Sequence, residues 1–591
     1  MTFMPNRRLA CALMLSALLA ACGGGGGGSD PAPVAPPPAP VVEKPATRAE
    51  AARFLTQATF GPTDADIDRV MAVGYAAWID EQFALPTASH RTHLEARDAE
   101  IKAANPTSTT AAAGQDQVFE TFWKQALTGP DQLRQRTMFA LSQIFVISMV
   151  DDGVANNPRA VAAWLDMLGD KGLGTYRDLL ENVSRHPMMG TYLSHLRNQK
   201  ADSRTGRVPD ENYAREVMQL FSIGLVELNE DGSARTTGGN PVDTYTPADI
   251  SGLAKVFTGW SWACPDWPIN NCFFNGSNNN VSDPDRSFKV MLGYGQYHST
   301  EEKRFLSATI APQTVSDPTA SLRVALDTLA AHPNVGPFIG RQLIQRLVTS
   351  NPSPAYVTAV ARVWANNGSG VRGDMKAVVK AVLMHAEART WSDTSGKVRE
   401  PVLKLSAFMR AFPHTSDTSY FKVGNTDNPG TGLAQSPLRS PSVFNYYRPG
   451  YVAPGTGASS RSLQSPEMQI AHETTAAGYV NYMRDNISSG VGQFNGTVGA
   501  VVRNRRDLQA DYSAELALAS DAAALTDRVL GKLTYGNTSA ALRTEIINAV
   551  GSITIPALTG TNQAAVDTAK RSRVNAALLL ALASPEFQVQ Q

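Results

Sequence analysis

The sequence predicts a mainly α-helical fold, a large multi-helix body with long irregular loops and little β-structure. Apolar residues recur at helical spacing, as at Leu322, Ala325, Leu326 and Leu329, and this period is typical of a helix with one buried face. Residues that start and stop helices are frequent, whereas the alternation of apolar and polar residues that marks a half-buried strand is scarce. Together these observations favour packed helices as the core.

The N-terminus predicts an exported lipoprotein. Arg7 and Arg8 precede a short apolar run from Leu9 to Leu19, and small residues lead directly into Cys22. This order is typical of a signal peptide, and a cysteine directly after Leu-Ala-Ala is typical of lipidation. We therefore expect residues 1–21 to be removed and Cys22 to carry a lipid anchor, with cleavage without lipidation as the alternative.

Residues 22–46 are predicted to form an extended tether. Six glycines follow Cys22, and a stretch rich in proline and alanine continues to Pro45, a composition that cannot bury a core. Gly23 is not the aspartate that signals retention in the inner membrane. In a Gram-negative host the expected location is the cell envelope at the outer membrane, and the sequence leaves open which side the protein faces.

Composition limits the possible partners. The chain has 53 basic and 53 acidic residues, so no charge excess attracts it to nucleic acid. The chain is 43 % apolar, which is enough to form the core of a large folded body. We expect a single large helical domain over residues 47–591. No second apolar run is long enough to span a bilayer.

Capping signals locate helix boundaries in this domain. Thr63 and Asp66 form a capping box, and Gly74 stands where that helix should end. A second start has Thr246 as cap, proline at the first helical position and aspartate at the third. Between them, residues 137–150 are nearly all apolar, which predicts a helix buried on all sides.

An irregular excursion is predicted from residue 261 to about 300, and it contains Cys264 and Cys272. These are the thiols that remain in the exported body, and an oxidising compartment favours their pairing. Closing so short a loop stabilises the fold by about 2.5 kcal/mol in the chain-entropy estimate. A zinc site would need more ligands than this pair provides.

Three tryptophans, Trp260, Trp262 and Trp267, cluster around the cysteine pair. Exposed aromatic rings on a stapled loop would form a platform for sugar faces or for a partner protein. The alternative is that the rings cover the helical core, since large aromatic side chains dominate burial.

The densest polar segment runs from His186 to Glu216 and includes His195. If its last part is helical, Asn212, Arg215 and Glu216 share one face, and Tyr213 lies on the other. The catalytic interpretation gives Glu216 an acid or base role, lets Arg215 hold an anion and lets His195 exchange a proton. Asn212 and Tyr213 would then contribute to binding. The structural alternative is that Arg215 and Glu216 satisfy each other or nearby helix ends.

A third candidate is the loop that contains Tyr446, Tyr447 and Arg448. Tyrosine and arginine are enriched among the residues that carry binding energy at interfaces. The surrounding prolines predict an irregular conformation.

Known catalytic motifs are missing from the sequence. It contains no nucleophile elbow, no Cys-x-x-Cys and no phosphate-binding loop. His472 and Glu473 are not followed by the second histidine of a zinc-protease helix. We therefore predict no metal site and no cofactor.

A short echo occurs near the C-terminus, where Ser465–Gln469 (SPEMQ) resembles Ser584–Gln588 (SPEFQ). Proline early in a first turn predicts that both segments start helices. A duplicated site is the alternative.

Five segments carry a resemblance to a known family: Arg53–Pro62, Asp210–Gly224, Asp249–Trp262, His332–Pro354 and Ser440–Tyr451. Together they resemble the bacterial domain-of-unknown-function 1800 family, and Asn-Tyr-Ala-Arg-Glu is the most specific part of the match. Some relatives carry Trp-His-x-His-Phe where this chain has Leu141–Phe145, so histidine-based metal chemistry is not expected here. Genes of this family often neighbour those of an exported sulfatase-like family, which implies a possible protein partner.

Two functional hypotheses follow. The first is a surface-tethered binding or assembly protein for an envelope partner or polymer, because a lipid anchor and tether are predicted and catalytic motifs are lacking. The second is an extracytoplasmic hydrolase or lyase that acts on a polysaccharide or ester through Glu216, Arg215 and His195.

Overall fold

Helices dominate the computed structural model, which describes residues 43–590 except 279–280, 391, 393–394 and 499–500. The predicted signal peptide, Cys22 and almost all of the tether lie outside the described residues. Helices make up 51 % of the structure, and the predicted mainly α fold is confirmed.

The first group of helices runs from the N-terminal side of the body to the excursion: α1 (Arg48–Ala58), α2 (Asp64–Val73), α3 (Tyr75–Ala84), α4 (His90–Ala104), α5 (Gln115–Thr128), α6 (Gln132–Ser142), α7 (Asp152–Ala155), α8 (Pro158–Lys171), α9 (Tyr176–Arg185), α10 (Pro187–Tyr192), α11 (Asn212–Gln219), α12 (Pro247–Ala254) and α13 (Asn270–Asn275). The second group completes the body: α14 (Pro318–Ala331), α15 (Val335–Leu347), α16 (Pro354–Ala365), α17 (Met375–Met384), α18 (Ala386–Arg389), α19 (Pro401–Ala411), α20 (Gly457–Ser460), α21 (Glu473–Ser489), α22 (Ser513–Leu518), α23 (Ala522–Leu533), α24 (Ala540–Ser552), α25 (Gln563–Ala583) and α26 (Pro585–Gln588). Short 3-10 helices cover Gly295–Tyr297 and Pro466–Ile470.

Strands are short and antiparallel: β1 (Thr236–Thr237), β2 (Asn240–Pro241), β3 (Trp260–Ser261), β4 (Ser277–Asn278), β5 (Val281–Ser282), β6 (Leu292–Gly293), β7 (Lys303–Phe305), β8 (Ala308–Ile310), β9 (Lys397–Val398), β10 (His414–Ser416), β11 (Val491–Val498), β12 (Val501–Ala510) and β13 (Val589–Gln590). Most form two-stranded pairs, and β10, β12 and β11 form a three-stranded sheet in that order. The β11–β12 hairpin was not predicted from the sequence. Its outer part is solvated, and Phe494, Val501 and Val502 are exposed, so the hairpin lacks the one-sided alternation of a half-buried strand.

The predicted helix boundaries are confirmed at the capping signals. The Thr63 hydroxyl accepts a hydrogen bond from the Asp66 N–H at 3.2 Å, and the Asp66 carboxylate accepts one from the Thr63 N–H at 3.2 Å. Gly74 ends α2 with φ of +88°, a conformation that favours glycine. Thr246 caps α12 in the same way as Thr63 caps α2.

The predicted helix over residues 137–150 is too long. Helix α6 ends at Ser142, and the chain continues as turns that remain buried as far as Met149. This segment is hydrogen-bonded to a loop that is distant in sequence. The Met149 N–H donates to Leu438 O at 2.8 Å, and the Ser148 hydroxyl donates to Ser440 O at 2.7 Å. Burial was predicted correctly, but a continuous apolar run does not distinguish a helix from another buried conformation.

The predicted disulfide is confirmed, because Cys264 is bonded to Cys272. Around it the excursion consists of short elements. Strand β3 pairs with β6, and α13 lies between them in sequence. A small buried cluster of the disulfide, Phe273 and Tyr294 holds this region together.

The main core is one apolar cluster that extends from Ala51 to Phe587. Trp123, Trp164 and Trp364 are fully buried in it. The last strand, β13, pairs with β9, which lies about 190 residues earlier in the chain, and joins the C-terminal end of the body to the segment between α18 and α19. In the described part of the chain, no helix combines the length and the hydropathy needed to cross a membrane.

Five buried charged side chains lie within this apolar interior, and we call them the ionic core: Arg136, Arg346, Lys397, Glu400 and Glu467. Each is at most 4 % exposed. Lys397 Nζ lies 3.0 Å from Glu467 Oε1 and donates to the backbone oxygen of Arg346 at 3.0 Å. The Arg136 guanidinium donates to the same backbone oxygen at 2.7 Å. Charges so far from water are stable only if their partners are all in place.

Glu400 collects polar partners around one carboxylate oxygen. Its Oε2 accepts hydrogen bonds from Gln143 Nε2 at 2.6 Å, Gln435 Nε2 at 2.7 Å and the Tyr447 hydroxyl at 2.9 Å. Burial by itself raises the pKa of Glu400, but the positive charges of the ionic core and the bond from Gln435 outweigh burial. The pKa of Glu400 is therefore lowered from its ordinary value of 4.5.

Replacing Glu400 by glutamine should lower the free energy of unfolding at pH 7 by about 3–5 kcal/mol, because the three cations of the ionic core lose a buried counter-charge. Folding lowers the pKa of Glu400, so its contribution is present above pH 4.5 and is lost as the pH falls below that value. Urea denaturation of the protein and of Glu400→Gln at pH 7 and at pH 3 should show a difference that shrinks in acid.

Glu545→Gln is the matched control for this experiment, since Glu545 is exposed on α24. It should change the free energy of unfolding by less than about 0.5 kcal/mol. An equally small effect of Glu400→Gln would show that the ionic core does not depend on this carboxylate.

Candidate functional site

A cavity of about 400 Å³, which we call the arginine pocket, opens beside the ionic core. Helix α15 forms one wall, and segments distant in sequence form the others. Its lining includes Gln143, Ile144, Gln219, Leu220, Phe338, Arg341, Gln342, Gln345, Arg346, Phe444, Arg448 and Gln464. The pocket thus unites the end of α11, the loop of the third sequence candidate and the segment that follows α6.

Three arginines line this pocket. The Arg341 guanidinium donates to Gln464 Oε1 at 3.2 Å, and Arg346 donates to Gln143 Oε1 at 3.0 Å. Arg448 is exposed, and its guanidinium lies 4.8 Å from the centre of the Phe444 ring. Among the described residues, none of the three guanidinium groups has a carboxylate at ion-pairing distance. Burial lowers the pKa of Arg341 from its ordinary value.

Glutamine side chains complete the polar lining. Gln345 Nε2 donates to Ser350 O at 3.0 Å and to Gln464 Oε1 at 2.9 Å. Gln342 is 8 % exposed, and its Nε2 has no hydrogen-bond partner among the described residues. Leaving a buried donor unpaired costs about 1–3 kcal/mol, and a ligand with an acceptor oxygen would remove this cost.

Backbone geometry shapes the far wall of the pocket. Gly224 has φ of +72°, and a Cβ atom there would lie 2.8 Å from the Phe338 ring. Both the conformation and the close approach require glycine at this position. The pocket keeps its width because no side chain occupies this position.

The predicted catalytic residues do not form a hydrogen-bonded group. Glu216 is 7 % exposed, and its Oε2 has no hydrogen-bond partner in the described part of the chain. Burial raises the pKa of Glu216 against the opposing effect of Arg215. The exposed Arg215 instead pairs with Glu211 at 3.8 Å. The ring of His195 lies in the core, where Nε2 contacts Ser184 O at 2.8 Å and burial lowers the pKa of His195 to about 4.

None of Glu216, Arg215 and His195 lines the arginine pocket. Tyr213 is fully buried, and its ring stacks on His195 with centroids 3.9 Å apart. Asn212 is exposed, and its Nδ2 contacts the Ser194 hydroxyl at 3.4 Å. The catalytic role of these residues stays a prediction.

The tryptophans of the excursion divide between the core and the surface. Trp260 is 3 % exposed and donates from Nε1 to Val256 O at 3.2 Å. Trp262 is half-buried, with the Arg286 guanidinium 5.8 Å from its ring. Trp267 is 48 % exposed, although its Nε1 donates to Gly293 O at 3.0 Å. Both alternatives therefore occur in this loop, since Trp260 covers the core and Trp267 exposes its ring.

The third candidate loop is also divided. Tyr446 donates from its hydroxyl to Arg439 O at 2.8 Å and fixes the loop, and Tyr447 is buried against Glu400. Arg448 is the member that lines the arginine pocket.

Four lining residues of α15 did not enter the sequence-based candidates: Arg341, Gln342, Gln345 and Arg346. A signal for them existed, because two arginines and two glutamines interrupt the apolar stripe of Ile339, Leu343 and Leu347. Polar side chains on the buried side of a helix need partners or a ligand. Within the described residues, no group of three or more His, Cys, Asp or Glu side chains is placed to hold a metal ion.

Glu216→Gln should raise the free energy of unfolding at pH 7 by up to about 1 kcal/mol, because a buried carboxylate without a partner becomes neutral. Folding raises the pKa of Glu216, so its stability contribution is complete below pH 4.5 and is lost as the pH rises through the folded-state value. The gain should therefore appear at pH 7 and vanish below pH 4.5 in thermal denaturation.

Glu211→Gln is the control at the start of the same helix, where Glu211 accepts a hydrogen bond from Ser251 at 2.6 Å. This variant should not be stabilised. A Glu216→Gln variant that is less stable at neutral pH would mean that the carboxylate has a stabilising partner.

Comparison with known proteins identifies the family of this chain. No curated protein sequence and no solved structure matches it significantly. A family model described as protein of unknown function (DUF1800) matches residues 53–589. The resemblance found in the sequence is therefore confirmed, and this chain belongs to the DUF1800 family.

Proposed function

We propose that this protein is a lipid-anchored envelope protein that binds an acidic polysaccharide, one anionic sugar unit of which occupies the arginine pocket. The observation that carries the proposal is that, among the described residues, the guanidinium groups of Arg341 and Arg448 have no carboxylate at ion-pairing distance and the nearby Gln342 Nε2 has no hydrogen-bond partner. Arg346, the third guanidinium of the lining, has its counter-charges in the ionic core. An anionic ligand would supply the counter-charge and the acceptor oxygen that Arg341, Arg448 and Gln342 lack.

The chemistry of the lining supports a sugar acid over an inorganic anion. Planar guanidinium groups match carboxylate, sulfate and phosphate oxygens bidentately. The glutamines Gln345 and Gln464 provide amide groups for hydroxyls, and the rings of Phe338 and Phe444 offer apolar faces. A volume of about 400 Å³ lies at the lower end of the range typical of small-ligand pockets, which suits one or two sugar units of a longer chain.

Anchoring adds to the affinity of such a site. With lipid on Cys22 and an extended tether, the pocket stays at a high effective concentration beside envelope polymers, so modest affinity for each sugar unit suffices. The hydrolase alternative rests on Glu216, a buried acid outside the arginine pocket, and it predicts product formation that Glu216→Gln abolishes.

Arg341→Gln should weaken binding of trigalacturonate at least tenfold, because a charge-assisted hydrogen bond contributes about 1.5–3 kcal/mol. Isothermal titration calorimetry at 50 and 200 mM salt measures the effect. The methyl ester of the same trisaccharide, which lacks the charge, should bind the unaltered protein at least tenfold more weakly than the acid.

Arg571→Gln is the matched control, because Arg571 is exposed on α25 and does not line the arginine pocket. It should leave the affinity unchanged. Equal binding of the acid and its methyl ester would contradict the proposal, as would equal losses in Arg341→Gln and Arg571→Gln.

Cys22→Ser should release the protein from the membrane fraction, because the anchor requires the cysteine thiol. Fractionation of cells followed by immunoblotting measures the distribution. A variant that remains in the membrane fraction after a high-salt wash would contradict lipid anchoring at this residue.

A further inference from the structure

A second cavity, of about 430 Å³, lies between α19, α21 and the C-terminal helices, and we call it the Lys404 pocket. Most of its wall is apolar and includes Leu433, Met468, Ile470 and Tyr479. Three charged side chains also line it: Arg399, Lys404 and Glu467. Charged groups in an apolar cavity need compensation from the protein or from a ligand.

Lys404 is a lysine of the pocket wall that forms no ion pair with any residue that the structure describes. Its Nζ lies 5.0 Å from the centre of the Tyr479 ring, and among the described residues no carboxylate is within ion-pairing distance of it. Burial, together with the positive charge of Arg399, lowers the pKa of Lys404 to about 8, although Glu467 opposes this shift. The amine is thus poorly compensated in the empty pocket.

Arg399 shows the same deficiency. It is 5 % exposed, and its guanidinium lies 4.6 Å from the centre of the Phe587 ring. Its Nε has no hydrogen-bond partner within the described ranges. Burial lowers the pKa of Arg399. Two neighbouring cations in an apolar wall therefore lack counter-charges.

Glu467 does not neutralise these two cations. Its Oε1 lies 3.0 Å from Lys397 Nζ within the ionic core, while its Oε2 has no hydrogen-bond partner among the residues described. The charge of Glu467 is thus offset by Lys397, and Arg399 and Lys404 leave an excess of two positive charges at the pocket. Tyr479, the remaining ionisable group of the lining, has a pKa raised above its ordinary value by burial and stays neutral.

The two similar pentapeptides meet at this pocket. Pro466–Ile470 forms a 3-10 helix and Pro585–Gln588 forms α26, so the predicted helix starts are confirmed. Glu467 and Met468 line the pocket from one segment, and Pro585 and Gln588 line it from the other. The chemistry is not duplicated, because Glu586 accepts a hydrogen bond from the Ser539 hydroxyl instead.

We propose that the Lys404 pocket binds a small apolar monocarboxylate, whose carboxylate is held by Lys404 and Arg399 and whose hydrocarbon part packs against Met468, Ile470 and Tyr479. This site is separate from the arginine pocket, and the inference does not depend on the function proposed above. A neutral apolar molecule would leave both cations uncompensated, and an organic cation would add to the positive excess.

Octanoate is the test ligand, titrated calorimetrically at pH 8 in two buffers of different ionisation enthalpy. The protein should bind it and take up about half a proton per octanoate, because the pKa of Lys404 is about 8 and the bound carboxylate favours the charged amine. Octan-1-ol and octylammonium, which keep the chain and change the head group, should bind at least tenfold more weakly.

Two variants distinguish the effect of a positive charge at position 404 from proton uptake by the lysine amine. Lys404→Met should lose at least tenfold in affinity for octanoate, and proton uptake should disappear. Lys404→Arg should keep affinity within about threefold but take up no proton, since arginine is always charged. Lys570→Met, which alters a lysine of α25 outside the pocket, should change neither quantity.

Three outcomes would overturn the proposal. They are the absence of octanoate binding to the unaltered protein, equal binding of octan-1-ol, and proton uptake that persists in both Lys404 variants. Thermal denaturation verifies that each variant is folded. Lys404→Met should be at least as stable as the parent, because an uncompensated buried charge is removed.

Discussion

The buried ion pair between Lys397 and Glu467 is the interaction on which both pockets depend. Lys397 also holds the backbone of Arg346, whose side chain lines the arginine pocket, and Glu467 lines the Lys404 pocket on the other side. Because buried charges tolerate little displacement, this pair fixes the distance between two walls that belong to different cavities. Glu400 extends the same network to Gln143 at the floor of the arginine pocket.

Local signals in the sequence predicted much of the helical fold. The capping boxes at Thr63 and Thr246 and the stop at Gly74 are confirmed, since each depends on residues within one helical turn. The segment 143–149 could not be assigned from its own composition, because its backbone is held by a loop almost 300 residues away in sequence. The β11–β12 hairpin escaped prediction since its exposed face carries apolar residues.

The site was harder to predict than the fold, because it too is formed by segments that are distant in sequence. Sequence analysis selected Arg448, which does line the arginine pocket, but it chose Glu216 and His195, which do not, as candidate catalytic residues. Those two side chains project into the core, where their burial resembles that of catalytic groups. The polar residues of α15 alternate with apolar core residues, so the sequence did not mark them as a site. Their possible role as ligand-binding residues follows from the cavity that they line in the structure.

The pairing of β13 with β9 has a consequence for biosynthesis. Strand β9 contains Lys397, so this part of the ionic core is completed after Val589 and Gln590 have emerged from the ribosome and found a partner about 190 residues earlier. Until then, Lys397 and Glu400 stand beside an unfinished apolar interior. Contacts between such distant segments form late and leave apolar surface exposed during synthesis. The nascent chain therefore has a long interval in which a chaperone would protect it from aggregation.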